Sequence, residues 1–370
     1  MKYQSLEAFR GLAAILVALF HSAFVTYEQY PIISQGAIFV DFFFILSGFV
    51  ITFAYADKVS KGLKFVPFFI LRFGRLYPLH LFVLLIWLPY IIAKTVIFYK
   101  FGIGEVDPTE HNNIPSFISN LFLVNALNVH DYLSWNFPAW SISVELFTYI
   151  IFFIVFSLIG RFNPLIVALT ISVGSYYLLY ANNEDTLLKT YDWGLIRCVG
   201  GFFLGSVIFY LSKKTSLQLS SIFTSILEIV STGLMLFLVL NSTDSTGYQL
   251  ASFVSFGLVI YIFSTQESGV ISKLLTVKPI LFLGTLSYSI YMTHALIFAI
   301  SATAGKKLFD LPVRVVINGT EQVNHLITPY ADLINLVLIS FVIGISYLTY
   351  RFVEIPWRDK FRVIANKKSK

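Results

Sequence analysis

Residues 36–55 read GAIFVDFFFILSGFVITFAY. A helix that crosses a bilayer needs about 20 mostly apolar residues. This run has that length, with Asp41 as its single charged side chain. Nine further runs resemble it, at 8–27, 77–98, 138–158, 163–181, 193–211, 222–240, 249–264, 279–301 and 333–353. The expected fold is an all-α integral membrane protein of about ten transmembrane helices. Composition points the same way. Hydrophobic residues make up 57% of the 370 and charged residues 12%, against about 45–50% and about 25% in a soluble domain. A soluble sphere of this size cannot hide that much apolar surface. Soluble enzyme, disordered chain and secreted disulfide scaffold are excluded, and the lipid bilayer is the partner that covers the excess. Cys198 is the lone cysteine. It has no partner for a disulfide within the chain, and no CxxC or His/Cys cluster points to a metal.

The balance of 26 Lys+Arg over 20 Asp+Glu leaves +6. It needs no nucleic acid to explain it, because cytoplasmic loops of membrane proteins are enriched in Lys and Arg. With the N-terminus inside, cytoplasmic segments collect Lys58, Lys61, Lys64, Arg72 and Arg75, then Arg161, Lys213, Lys214, Lys273 and Lys278, and the basic end from Arg351 to Lys370. Both termini are therefore expected in the cytoplasm. Residues 1–355 form the transmembrane domain and 356–370 a short basic tail. The first run carries Arg10 and no small-x-small cleavage site, so it reads as an uncleaved span. The segment 114–128 is apolar but short and holds Asn120, Asn125 and Asn128. It reads as an interfacial or re-entrant helix. Loop 302–332 is polar and contains Asn318-Gly319-Thr320, a match to a glycosylation acceptor. No internal repeat is present, which disfavours repeat-built transporter folds.

Ionisable side chains within spans are costly, so each is a candidate for function or for helix pairing. Arg10 and His21 are 11 residues apart. At 100° per residue that is three turns plus about 20°, so they share a helix face roughly 16 Å apart along the axis. Arg72 and Arg75, in Arg72-Phe73-Gly74-Arg75-Leu76-Tyr77-Pro78, also share a face as an i,i+3 pair. Lys would anchor a cytoplasmic end equally well, and Arg at both positions favours a planar, bidentate phosphate ligand. Asp41 and Glu145 are carboxylates able to orient an imidazole, with an ion pair between Glu145 and Arg197 as the alternative. Ser287-Tyr288-Ser289-Ile290-Tyr291-Met292-Thr293-His294 is a hydroxyl-rich stripe that either lines a cavity or bonds backbone between helices. Pro356 is expected to break span ten, with Glu354 pairing to a cytoplasmic arginine.

Taken in order, these segments resemble the acyltransferase 3 family of integral membrane acyltransferases. Leu6-Glu7-Ala8-Phe9-Arg10-Gly11 with His21 fits its Arg-x10-His pattern. Val40-Asp41-Phe42-Phe43-Phe44-Ile45-Leu46-Ser47-Gly48-Phe49 fits its second-helix signature, and Arg72-Phe73-Gly74-Arg75 its Arg-x-x-Arg motif. Trp140-Ser141-Ile142-Ser143-Val144-Glu145 and the 287–294 stripe fit two later motifs. One departure is Leu146, where many members carry a second acidic residue after the glutamate.

The resemblance implies transfer of an acyl group, usually acetyl, from coenzyme A to a saccharide hydroxyl, in a bacterial plasma membrane. Acetyl-CoA is then the donor substrate, a glycan the acceptor, and no metal takes part. Arg10, Arg72 and Arg75 bind the donor's phosphates. His21 is general base or acyl carrier, with Glu145 and Asp41 as further catalytic residues. Trp140, Ser143, Tyr288, Tyr291 and His294 contact substrate. The esterase-like domain fused to some members is not expected, since 17 residues follow span ten. A transporter or flippase for a lipid-linked glycan fits the spans and the intramembrane charges, but explains the Arg-x-x-Arg pair and the Arg10/His21 face less well. An intramembrane serine protease built on Ser47-Gly48 lacks the glycine expected at Ile45, and no HExxH is present for a metalloprotease.

Overall fold

The computed structural model describes residues 3–24, 30–104, 106–183, 185–215, 219–243, 245–309, 315–317, 320–322 and 328–369. In chain order the helices are α1 (Gln4–Phe20), α2 (Pro31–Ser34), α3 (Phe39–Ser60), α4 (Phe65–Phe101), α5 (Ile114–Leu121), α6 (Ala139–Leu158) and α7 (Pro164–Asn182). They continue with α8 (Gly194–Lys214), α9 (Ser221–Leu240), α10 (Thr246–Thr265), α11 (Val270–Leu275), α12 (Lys278–Phe309), α13 (Thr328–Thr349) and α14 (Ile355–Ser369). A single antiparallel strand pair, β1 (Val315–Ile317) with β2 (Thr320–Gln322), lies between α12 and α13.

Among the described residues nine helical stretches are long and apolar enough to cross a membrane. They coincide with nine of the ten expected spans. The tenth, 8–27, differs: α1 is 17 residues long and ends at Phe20, with His21 as its C-cap. Seventeen residues rise about 25 Å, short of the roughly 30 Å of a hydrocarbon core.

Other boundaries shift for local reasons. α4 starts twelve residues before the expected 77 and runs through Pro78 and Pro89. A proline removes one backbone donor, a loss that membrane helices tolerate when neighbouring groups or local adjustment re-satisfy the freed carbonyl. Pro356 likewise causes no break. The chain passes from α13 through a π-helical turn, Tyr350–Glu354, into α14. Pro356 is the second residue of α14, which follows directly on the π-helical turn. Segment 114–128 yields only the eight-residue α5, opened by a reciprocal capping box between Asn113 and Ser116. The expected polar loop at 302 is partly helical, since α12 continues to Phe309. Asn318 and Gly319 of the acceptor triplet lie outside the described residues.

Two glycine-mediated crossings set the centre of the bundle. On α3, a Cβ at Gly48 would overlap the Phe202 carbonyl of α8, and one at Gly205 would overlap the Ile45 carbonyl in return. On α1, Gly11 faces the backbone of Gly284 on α12, whose own missing Cβ leaves room for Glu7. Small residues let membrane helices approach this closely. Gly205→Ala is therefore expected to destabilise the protein by about 1–3 kcal/mol through overpacking. Gly174→Ala in α7, with open space around it, is expected to be neutral or slightly stabilising. Thermal unfolding of the two variants in detergent checks this contrast, and equal midpoints would contradict it.

Candidate active site

The α1/α12 crossing brings Arg10 against the hydroxyl stripe. Its Nε donates to Ser287 Oγ at 2.8 Å, and Nη2 donates to Glu7 Oε1 at 2.6 Å and to the Gly284 carbonyl at 3.1 Å. Arg75 pairs with Glu354 in the π-helical turn, whose other carboxylate oxygen accepts from Ser289 Oγ at 3.0 Å. Arg75 also lies over the Tyr288 ring, 5.5 Å from its centroid. Arg72 has no carboxylate partner among the described residues. It donates to Tyr55 Oη at 2.8 Å and stacks on that ring at 4.8 Å, while its Nε is buried without a partner.

All three arginines line one cavity of about 590 Å³. Volumes of this order are typical of small-molecule sites. Its wall also carries Glu145, which accepts from Ser47 Oγ at 2.5 Å and Tyr149 Oη at 2.6 Å. Tyr288 and Tyr291 line it too. Tyr291 shares a hydrogen bond with Ser141 Oγ at 2.8 Å and donates to the Pro138 carbonyl at 3.1 Å.

Neither His21 nor His294 is on the cavity wall. They sit just beyond it, one helical turn past Tyr291, with 5.9 Å between the Tyr291 and His294 ring centroids. His21 Nδ1 lies 2.9 Å from the Val17 carbonyl and 3.2 Å from His294 Nε2, and His294 Nδ1 lies 3.2 Å from the Ile290 carbonyl. A neutral imidazole has one donor and one acceptor nitrogen. One assignment of neutral tautomers satisfies these three contacts. His294 donates from Nδ1 to Ile290 and accepts at Nε2, and His21 donates from Nδ1 to both Val17 and His294. The reverse assignment sets lone pairs against both carbonyls. In the first assignment the His21 lone pair is on Nε2.

The other sequence candidates fall elsewhere. Asp41 is held by Arg197 in a bidentate pair, Nε to Oδ1 at 3.0 Å and Nη2 to Oδ2 at 2.6 Å. Arg197 spends its remaining terminal nitrogen on the Lys189 carbonyl at 2.9 Å and stacks over Trp140 at 5.3 Å. Both charges of the pair are fully buried. The alternative pairing of Arg197 with Glu145 does not form. Ser143 donates to the Leu123 carbonyl at 2.5 Å, pinning the segment that follows α5. Trp140 and Ser143 do not line the cavity. Ser47, Tyr149 and Arg358 do, and sequence reasoning missed all three as site residues. A glutamate four residues before Tyr149 was the available signal for that pair. Ser47 stood within the second-helix signature and was weighed only as a protease nucleophile, and Arg358 offered no signal beyond the basic end. Among the described residues no cluster of three His, Cys, Asp or Glu side chains could hold a metal ion.

Residues 3–351 match the acyltransferase domain that defines the acyltransferase 3 family. O-acetyltransferase OatA of Staphylococcus aureus strain MRSA252 is 26% identical over 396 residues, an alignment covering 98% of this chain and 59% of OatA. Peptidoglycan O-acetyltransferase OatA of Listeria monocytogenes is 26% identical over 318 residues, covering 78% of this chain and 48% of that protein. Protein 2 in the picA locus of Rhizobium radiobacter is 33% identical over 153 residues, covering 38% of this chain and 75% of that protein. The chain thus spans about three-fifths of the length of the Staphylococcus relative. No solved structure matches it significantly. With the domain match running almost end to end on a bundle of membrane-length helices, the chain belongs to the acyltransferase 3 family.

Proposed function

We propose that this acyltransferase moves an acetyl group from acetyl-CoA to a hydroxyl of a cell-envelope saccharide, in the plasma membrane, with both termini and the arginine end of the cavity on the cytoplasmic side. The observation that carries the reading is one cavity with Arg10, Arg72 and Arg75 on its wall and the His21–His294 pair just past Tyr291. Coenzyme A has phosphates at one end and a thioester at the end of an extended arm, so the two ends of the molecule suit these two groups of residues. Charge-assisted, bidentate contacts suit guanidinium to phosphate, and Arg72 has no carboxylate partner among the described residues.

At the histidines, Nε2 of His21 takes the proton of the acceptor hydroxyl as its oxygen attacks the thioester carbonyl. The tetrahedral intermediate collapses, the C–S bond breaks, and the departing thiolate takes the proton from the imidazolium. The products are the O-acetyl ester and free coenzyme A. In a second version Nε2 attacks the thioester carbonyl, the C–S bond breaks and coenzyme A leaves as thiolate; the alcohol oxygen then attacks the acetyl-imidazole, the C–N bond breaks, and the alcohol proton passes to the released imidazole. His294 holds the reactive tautomer, Glu145 with Ser47 and Tyr149 shapes the polar wall, and Asp41 acts at one remove by fixing Arg197 and Trp140. Tyr288 and Tyr291 contact the donor arm.

Purified protein given acetyl-CoA labelled in its acetyl group and a saccharide acceptor should yield labelled saccharide. No labelled saccharide, together with movement of an unlabelled lipid-linked glycan across the membrane, would instead support the flippase reading. In the same assay Arg72→Ala removes a charged hydrogen-bond partner worth about 1.5–3 kcal/mol, or roughly 10- to 150-fold in affinity. The expected result is a donor KM raised by that factor with the acceptor KM unchanged.

A further inference from the structure

A second cavity, of about 570 Å³, opens behind the first. Arg72, Arg75 and Arg358 belong to the walls of both. The rest of its polar lining includes Lys58 and, from α14, Arg362, Asn366 and Asp359. Arg75 is already neutralised by Glu354. The other four cations face one carboxylate, and neither Arg358 nor Arg362 makes an ion pair with a described residue. The cluster is held in place by structure rather than by chance of a mobile tail. Phe361 packs where Gly74 leaves α4 bare, and its ring lies 6.1 Å from that of Phe73. That contact fixes the register of α14 and presents Arg358 and Arg362, an i,i+4 pair, along one face. Tyr55 carries Lys58 and Arg72 against its ring at 5.4 and 4.8 Å. The match to the family domain stops at residue 351, so α14 lies outside what that match accounts for.

We infer that α14 completes a phosphate-binding compartment, in which Arg358 and Arg362 hold the phosphorylated nucleotide end of the acyl donor while its arm occupies the first cavity. The inference rests on the donor being an acyl-coenzyme A. Continuity carries it: a ligand whose arm lies along Arg10, Arg72 and Arg75 leaves through the wall that Arg358 shares. One cavity matches a single drug-sized ligand, and a nucleotide joined to a long acyl arm fills two. A phosphate on an anionic lipid headgroup has the same chemistry, but would use the second cavity alone.

The test compares binding of coenzyme A and of pantetheine, which lacks the nucleotide, to the full-length protein in detergent. The wild-type protein should bind coenzyme A at least tenfold more tightly than pantetheine. Arg362→Gln, which touches the second cavity alone, should weaken coenzyme A by about tenfold and leave pantetheine unchanged, while Arg362→Lys should restore most of the loss. Unchanged coenzyme A affinity in the glutamine variant overturns the inference and leaves the donor assignment standing. Failure of the wild-type protein to bind coenzyme A overturns both. Retention of phosphatidylglycerol, read by native mass spectrometry, separates the two phosphate sources. Its loss in the glutamine variant with coenzyme A binding intact would make this a lipid site. Gel filtration and thermal melting confirm that each variant is folded.

Discussion

His21→Ala is expected to lower acyl transfer by roughly 10²- to 10⁴-fold, the usual contribution of a positioned general base, while the protein still folds and binds donor. Three observations support this separation. His21 follows the last helical residue of α1 as its C-cap, so its loss removes no helical turn. It lies outside the donor cavity, so Arg10, Arg72 and Arg75 keep their places. The cost to the fold includes the contacts of His21 Nδ1 with the Val17 carbonyl and His294 Nε2, and each buried acceptor left unmet costs about 1–3 kcal/mol. Transfer rate, donor affinity and melting temperature measured on one preparation distinguish the outcomes. A variant that turns over at the wild-type rate would end both the base and the carrier mechanisms. His294→Gln is expected to cause a smaller loss and a displaced pH–rate profile, because the Val17 carbonyl alone of these two partners then holds His21 Nδ1. A purely packing role would lower stability and leave the profile in place.

The second large effect falls on stability. Asp41 and Arg197 are fully buried and satisfy each other in two hydrogen bonds. Removing one partner of such a pair typically costs about 3–5 kcal/mol, because the other charge is stranded, whereas replacing both by apolar residues is often neutral. Arg197→Met alone should therefore give little monodisperse protein. Asp41→Leu combined with Arg197→Met should recover most of the thermal stability. The same double variant tests what the pair does for transfer. If Asp41 acts by holding Arg197 against Trp140, the double variant turns over more slowly but measurably. A folded double variant with no transfer at all would place Asp41 in the chemistry itself.

The spans were legible because lipid demands long apolar runs, and nine of them stand where the sequence puts them. Their ends were less so. α4 absorbs Pro78 and Pro89, and a π-helical turn carries the chain past Glu354 into α14, so proline was a poor stop signal here. The Arg10/His21 face was readable from the turn angle alone. What made the site was not. Glu354 was expected to meet a cytoplasmic arginine, and Arg75 is that arginine, 279 positions away; but His21 meets His294 across 273 positions and Arg197 meets Asp41 across 156. No local spacing encodes such pairings. The glycines at the α1/α12 and α3/α8 crossings bring these segments together, and their role appears only once the helices are packed.

The central claim is that the donor binds at the arginine end and the acetyl group leaves at the histidine end. Sealed proteoliposomes test it directly, with labelled acetyl-CoA on the side exposing the arginines and the saccharide acceptor confined to the other. The account predicts labelled saccharide in the opposite compartment, abolished by His21→Ala. Label reaching the saccharide only when donor and acceptor share a compartment would contradict it.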